Sequence, residues 1–174
     1  MTACAGSDDR HPLVWPWPHP PPVPAPPASV TRAAPGFDQG LGNLFVTRTA
    51  GQVLDDAVMG SIQYGVAVIG TPLIVVLGHQ DCGAVTSTVA AVPGKAQPTG
   101  TDIDRIVDAI APAVIRAQNE HAGDLVLAST KFNVDNVVAQ PRANSALAGA
   151  QAKGTVRIAG GYYDIGTGRV AIAG

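Results

Sequence analysis

The stretch from Leu73 to Val85, Leu-Ile-Val-Val-Leu-Gly-His-Gln-Asp-Cys-Gly-Ala-Val, most constrains what this chain can fold into. Five apolar residues, mostly β-branched, predict a strand buried on both faces, as in a parallel sheet. Gly78 breaks that strand. His79 and Cys82 follow, and Cys82-Gly83-Ala84-Val85 has the character of a first helical turn. An imidazole and a thiol therefore fall at the carboxyl end of a strand, where open α/β sheets place their ligands. Zinc accepts both donor types, and a helix amino terminus favours a thiolate at Cys82. His-x-x-Cys is a weak signal by itself. The plainer alternative is a buried cysteine beside a loop histidine hydrogen-bonded to its surroundings.

The flanking segments alternate helical and strand patterns. Leu44 to Thr47 reads as a short apolar strand. Asp55 or Asp56 can cap a helix whose apolar Val58, Ile62, Val66 and Ile69 recur at helical spacing, with Gly70 and Pro72 as its stop. Strand, helix and strand in this order predict a right-handed β-α-β crossover. Further helices are expected from Cys82 to about Val92 and from Asp102 onward, the latter kinked or interrupted at Pro112. Two more are expected over 125–140, with Leu125, Ala128, Phe132 and Val137 towards the core, and over 145–152, capped by Gly154. Val156 to Tyr163, the turn Asp164 to Gly168, and Arg169 to Ala173 predict a closing antiparallel hairpin. The expected class is α/β: an open, mainly parallel sheet with helices on both faces and a C-terminal antiparallel hairpin.

The first 36 residues differ in kind. Ten of the 15 prolines fall between Pro12 and Pro35. They remove the donors that a helix or central strand needs, so 1–36 is expected to be an irregular, exposed, proline-rich segment and 37–174 the domain. A length of 174 residues suits one core. A formal net charge of −2 with no basic stripe argues against nucleic-acid and membrane-surface partners. No apolar run has transmembrane length, and no basic region precedes an apolar core at the amino terminus, so a cytoplasmic protein without a signal peptide is expected. Two cysteines far apart, Cys4 and Cys82, suggest ligation or free thiols rather than a disulfide framework.

Pro72 to His79 leading into Cys82-Gly83-Ala84-Val85 resembles the β-class carbonic anhydrases. So do Phe37-Asp38-Gln39-Gly40-Leu41-Gly42-Asn43-Leu44-Phe45-Val46, Arg48-Thr49-Ala50-Gly51, and Ala57 to Tyr64. The resemblance is close from Phe37 to about Val89 and looser to Gly161-Tyr162-Tyr163-Asp164. It implies zinc-dependent, reversible hydration of carbon dioxide to bicarbonate, with His79 and Cys82 as metal ligands. It also implies a pocket walled by two subunits, hence a homodimer or larger even-numbered assembly. By position, Gln39 matches a pocket glutamine, the alternative being a loop amide bonded to backbone. Gly83 matches a glycine whose N–H faces substrate, the alternative being close packing. Arg48 is expected to be structural. The same scaffold suits carbonyl sulfide or carbon disulfide, and no residue here selects among these substrates.

The family's third protein ligand is the cysteine of a Cys-x-Asp-x-Arg strand just upstream of the residues matched by Phe37-Asp38-Gln39. Its Asp and Arg orient the nucleophile at the metal. The window Pro26 to Gly36 contains no Cys and no Asp. Cys4, followed by Asp8, Asp9 and Arg10, offers the residue types in order but at the wrong spacing. Cys4 is thus a candidate third ligand, and a catalytically inactive zinc-binding or structural remnant is the competing reading. With the first-cysteine strand missing, its two expected neighbours, Leu44 to Thr47 and Leu73 to Leu77, are expected to pair directly and the domain to be marginally stable.

Overall fold

The computed structural model describes residues 2–4, 37, 39, 42–92 and 99–173. Strands β1 (Thr2–Cys4), β2 (Phe45–Val46), β3 (Leu73–His79), β4 (Arg157–Asp164) and β5 (Arg169–Ala173) form one sheet in the order β2-β1-β3-β4-β5. Five helices connect them: α1 (Asp56–Ala67), α2 (Gly83–Ala91), α3 (Ile103–Asn119), α4 (Leu125–Ala143) and α5 (Ser145–Ala152). The class is α/β, as the sequence predicts, and the C-terminal hairpin is present. The sheet itself is mixed rather than mainly parallel. Only β3 and β4 pair in parallel, while β1 runs antiparallel to both its neighbours and β5 antiparallel to β4.

The central position corrects the expectation of direct pairing. Thr2–Cys4 lies between β2 and β3, with Thr2 opposite both Val46 and Val75. The physical reason is the ladder itself. A central strand needs donors on both sides, and Thr-Ala-Cys precedes every proline of the chain. The proline run, residues 12–35, lies outside the described residues, as does its expected irregularity.

Local signals set the helix ends. Asp55 caps α1 by accepting from the Val58 N–H at 2.7 Å, and Gly70, at φ +78, turns the chain beyond its end. Asp124 caps α4 and Asn144 caps α5 in the same manner. The helix α3 continues through Pro112 without the interruption offered as one expectation there, and α4 runs past residue 140 through Pro141 to Ala143. At Pro112 the ring lies on the exposed face, where water can reach the carbonyl that loses its N–H partner.

Ile74 and Val76 of β3 and Ile158 of β4 meet Val58 and Ile62 of α1, Val134, Val137 and Val138 of α4, and Leu147 of α5 in one apolar cluster. Among the described residues, the helices packed on the sheet, α1, α4 and α5, meet this one face rather than both faces as expected, and α2 and α3 join α4 through a second cluster of Cys82, Val85, Ile110 and Val114. The buried face of α4 is Ser129, Thr130, Asn133, Val134, Val137 and Val138. Val137 matches the sequence expectation, but the stripe is rotated from Leu125, Ala128 and Phe132. Phe132 instead lies half-buried with the Arg116 guanidinium 3.9 Å above its ring.

The break expected at Gly78 is absent, because the ladder to β4 continues through Gly78 to His79, and Gly78 reaches α4 as only glycine can. A Cβ there would stand 2.6 Å from Val134 Cγ2 and 3.1 Å from Thr130 Cγ2. Gly78→Ala is therefore expected to lower unfolding free energy by about 1–3 kcal/mol through overpacking. Denaturant unfolding of the two proteins side by side measures this, and an unchanged midpoint would contradict the close approach.

Candidate metal centre

His79 is the last residue of β3, and Cys82 is the N-cap of α2, with only Gln80 and Asp81 between them. Asp81 takes φ +53, a left-handed conformation that Asp tolerates better than most side chains, and so turns the strand into the helix. Both candidate ligands thus sit at the carboxyl edge of a strand held in register with β4, where His79 lies opposite Tyr163.

The His79 ring has a defined hydrogen-bonding state. Its Nδ1 lies 2.8 Å from the Gln80 carbonyl oxygen. A carbonyl can only accept, so Nδ1 carries the proton in the neutral ring and the Nε2 lone pair is left for a ligand. Cys82 is a free cysteine, 3% exposed, packed beside Val85, Ile110 and Val114. Its side chain makes no capping bond to α2. An imidazole with a directed Nε2 and an unbridged thiol suit zinc in donor type. They are two donors, and among the described residues no group of three or more His, Cys, Asp or Glu side chains converges.

The remaining candidates sort differently. Cys4 lies opposite Leu73, at the end of β3 remote from His79, and a rise of about 3.3 Å per residue puts roughly 20 Å between those ends. The sheet register therefore sets Cys4 at the Leu73 end of β3 rather than the His79 end. Gln39 is exposed and donates its amide to the Phe37 carbonyl at 3.1 Å, the loop-amide alternative. Gly83 opens α2, and nothing lies within 4 Å of where its Cβ would be, so close packing does not explain it. The first N–H groups of a helix have no intrahelical acceptor, and Gly83 stands at that end of α2. Arg48 is exposed.

Two features escape a sequence reading. Gln80 fastens the ligand turn to the β4–β5 turn by accepting from Ile165 N and Gly166 N. Asn133, fully inside, donates to the Gly51 carbonyl at 2.8 Å and so ties the 3-10 turn Ala50–Gln52 to α4. Proximity to His-x-x-Cys is the only signal that singles out Gln80. Nothing local singles out Asn133.

A family description reading carbonic anhydrase matches residues 30–170. The chain belongs to the β-carbonic anhydrase family. Within the family it is 42% identical to a carbonic anhydrase of Mycolicibacterium smegmatis over 78% of this chain and 66% of that protein. It is 39% identical to carbonic anhydrase 2 of Mycobacterium tuberculosis over 78% of this chain and 65% of that protein. The chain thus spans just under two thirds of the length of these relatives. Its fold matches the Coccomyxa β-carbonic anhydrase solved with acetazolamide, with a TM-score of 0.67 at 24% identity, covering 84% of this chain and 68% of that one. It also matches a tetrameric β-carbonic anhydrase of Sordaria macrospora, with a TM-score of 0.66 at 22% identity, covering 75% and 68%. The matched span begins at residue 30, so β1 and Cys4 lie outside it.

Cys82→Ser is expected to remove most bound zinc, because a hydroxyl is a poor substitute for a thiolate. Cys4→Ser is expected to leave zinc content unchanged. Metal analysis after exhaustive dialysis measures both, and equal losses would restore Cys4 as a ligand.

Proposed function

We propose that this chain is a zinc-dependent carbonic anhydrase that interconverts carbon dioxide and bicarbonate, with His79 and Cys82 as metal ligands. The observation that carries the reading is the directed His79 ring, Nδ1 bonded to the Gln80 carbonyl and Nε2 free, at the carboxyl edge of β3 beside Cys82. Bound zinc supplies the acidity that ionises water near neutral pH. The chain's own part is to orient and to bind. His79 is held by backbone, and Cys82 is shielded by Val85, Ile110 and Val114. The Gly83 N–H, in the first turn at the amino end of α2, suits the developing negative charge of bicarbonate.

A second reading, a zinc-binding or structural member without turnover, is favoured by one observation. Among the described residues no group of three or more His, Cys, Asp or Glu side chains converges, and Cys4 pairs at the far end of β3. Stopped-flow carbon dioxide hydration, run beside zinc stoichiometry on the same sample, separates the two. Zinc with hydration is the expected result, and zinc without hydration selects the second reading.

A homodimer or larger even-numbered assembly belongs to the same proposal. Edge strand β5 carries Ile172, 56% exposed, next to ladder groups that face no further strand of the described sheet. Among the described residues no helix is long and apolar enough to cross a membrane. Cytoplasmic placement is part of the proposal, consistent with the free thiol of Cys82. Light scattering across a concentration series is expected to show an even-numbered oligomer, and a monomer at every concentration would count against a shared pocket.

A further inference from the structure

We propose that Gln80 is the positioning residue of His79, coupling the imidazole to the β4–β5 turn and so fixing which ring nitrogen meets the metal. The proposal rests on the zinc reading above. Gln80 works through three polar groups at once. Its N–H donates to the Tyr163 carbonyl at 2.9 Å and carries the β3–β4 ladder one step past the His79–Tyr163 pair. Its carbonyl oxygen accepts from His79 Nδ1 at 2.8 Å. Its side-chain Oε1 accepts from the N–H groups of Ile165 and Gly166 at 3.1 and 3.2 Å.

The receiving turn is itself closed. Asp164 Oδ1 accepts from Thr167 N at 2.8 Å, and the Asp164 carbonyl accepts from Gly168 N at 2.9 Å. Gln80 is thus clamped by its main chain to β4 and by its side chain to a rigid turn. Its carbonyl, the acceptor for His79, cannot rotate without breaking both clamps. An oxygen with two lone pairs at this side-chain length is needed to take both turn N–H groups. A serine is too short to reach them, and an apolar side chain has no acceptor. The partner of a metal-bound imidazole sets its tautomer and orientation, and here that partner is held from one residue further out.

A mere staple of the hairpin would affect stability alone. Positioning also affects the ring. The test compares wild type, Gln80→Met, which is similar in length without an acceptor, and Gln80→Glu, which keeps the acceptor. Two-bond proton–nitrogen correlation on metal-free protein, above the pH of imidazole titration, reads the His79 tautomer. Chelator competition reads Co2+ affinity. Wild type and Gln80→Glu are expected to show one tautomer with the proton on Nδ1. Gln80→Met is expected to show a mixture of tautomers and an affinity lower by about tenfold, the low end for such outer partners. A single Nδ1–H tautomer retained in Gln80→Met overturns the proposal. Wild type that fails to bind Co2+ defeats the zinc reading instead, and the tautomer comparison then still decides the role of Gln80.

Discussion

Everything at the candidate centre depends on the parallel pairing of β3 with β4. The register runs without slip from Leu73–Arg157 to His79–Tyr163, and the Gln80 N–H extends it to the Tyr163 carbonyl. A one-residue slip of β3 against β4 would turn Ile74 and Val76 away from the face that Ile158 shares with the helices, since strand side chains alternate faces. The apolar cluster with α1, α4 and α5 therefore locks the register. The same lock fixes where β3 ends, and with it the height of His79 above the sheet. Packing and chemistry share one constraint, and Gly78 shows how tightly, with no room for a Cβ beneath α4.

Around that frame, the site is built from backbone polarity more than from charged side chains. The Gln80 carbonyl sets the His79 tautomer, α2 offers its free N–H groups at Gly83, and apolar residues surround Cys82. None of these needs a titrating neighbour, so the arrangement is prepared before any ion arrives. Preparation of this kind lowers the ordering cost of binding. It also explains why two adjacent donors can be so well defined while a third is not among the described residues.

The amino terminus shows how ladder chemistry overrides segment composition. A proline-rich run cannot occupy the middle of a sheet, yet three residues ahead of it do, antiparallel to both neighbours. The strand position that the family resemblance assigns to the first cysteine is thereby filled by a chain of opposite direction. Cys4 is carried to the Leu73 end of β3, where the sheet keeps it from the ligand turn. Residue type and order in the sequence suggested a ligand, while strand pairing sets the residue at the opposite end of β3 from His79.

What the sequence by itself determined is the local grammar. The β-branched run, the His79-x-x-Cys82 turn, the cap Asp55 and the closing hairpin all follow from short-range rules of dihedral angle and donor supply, whereas the break expected at Gly78 does not occur, since β3 runs through it to His79. They are legible because each involves partners within a few residues. Tertiary structure alone decided the insertion and direction of β1, the continuation of α3 and α4 through Pro112 and Pro141, the turn of α4 that buries Asn133, and the grip of Gln80 on Ile165 and Gly166. These depend on groups far apart in the chain, chosen by which arrangement leaves fewest buried donors and acceptors unpaired. No local pattern records that choice, because the competing partners become comparable only once the sheet has closed around them.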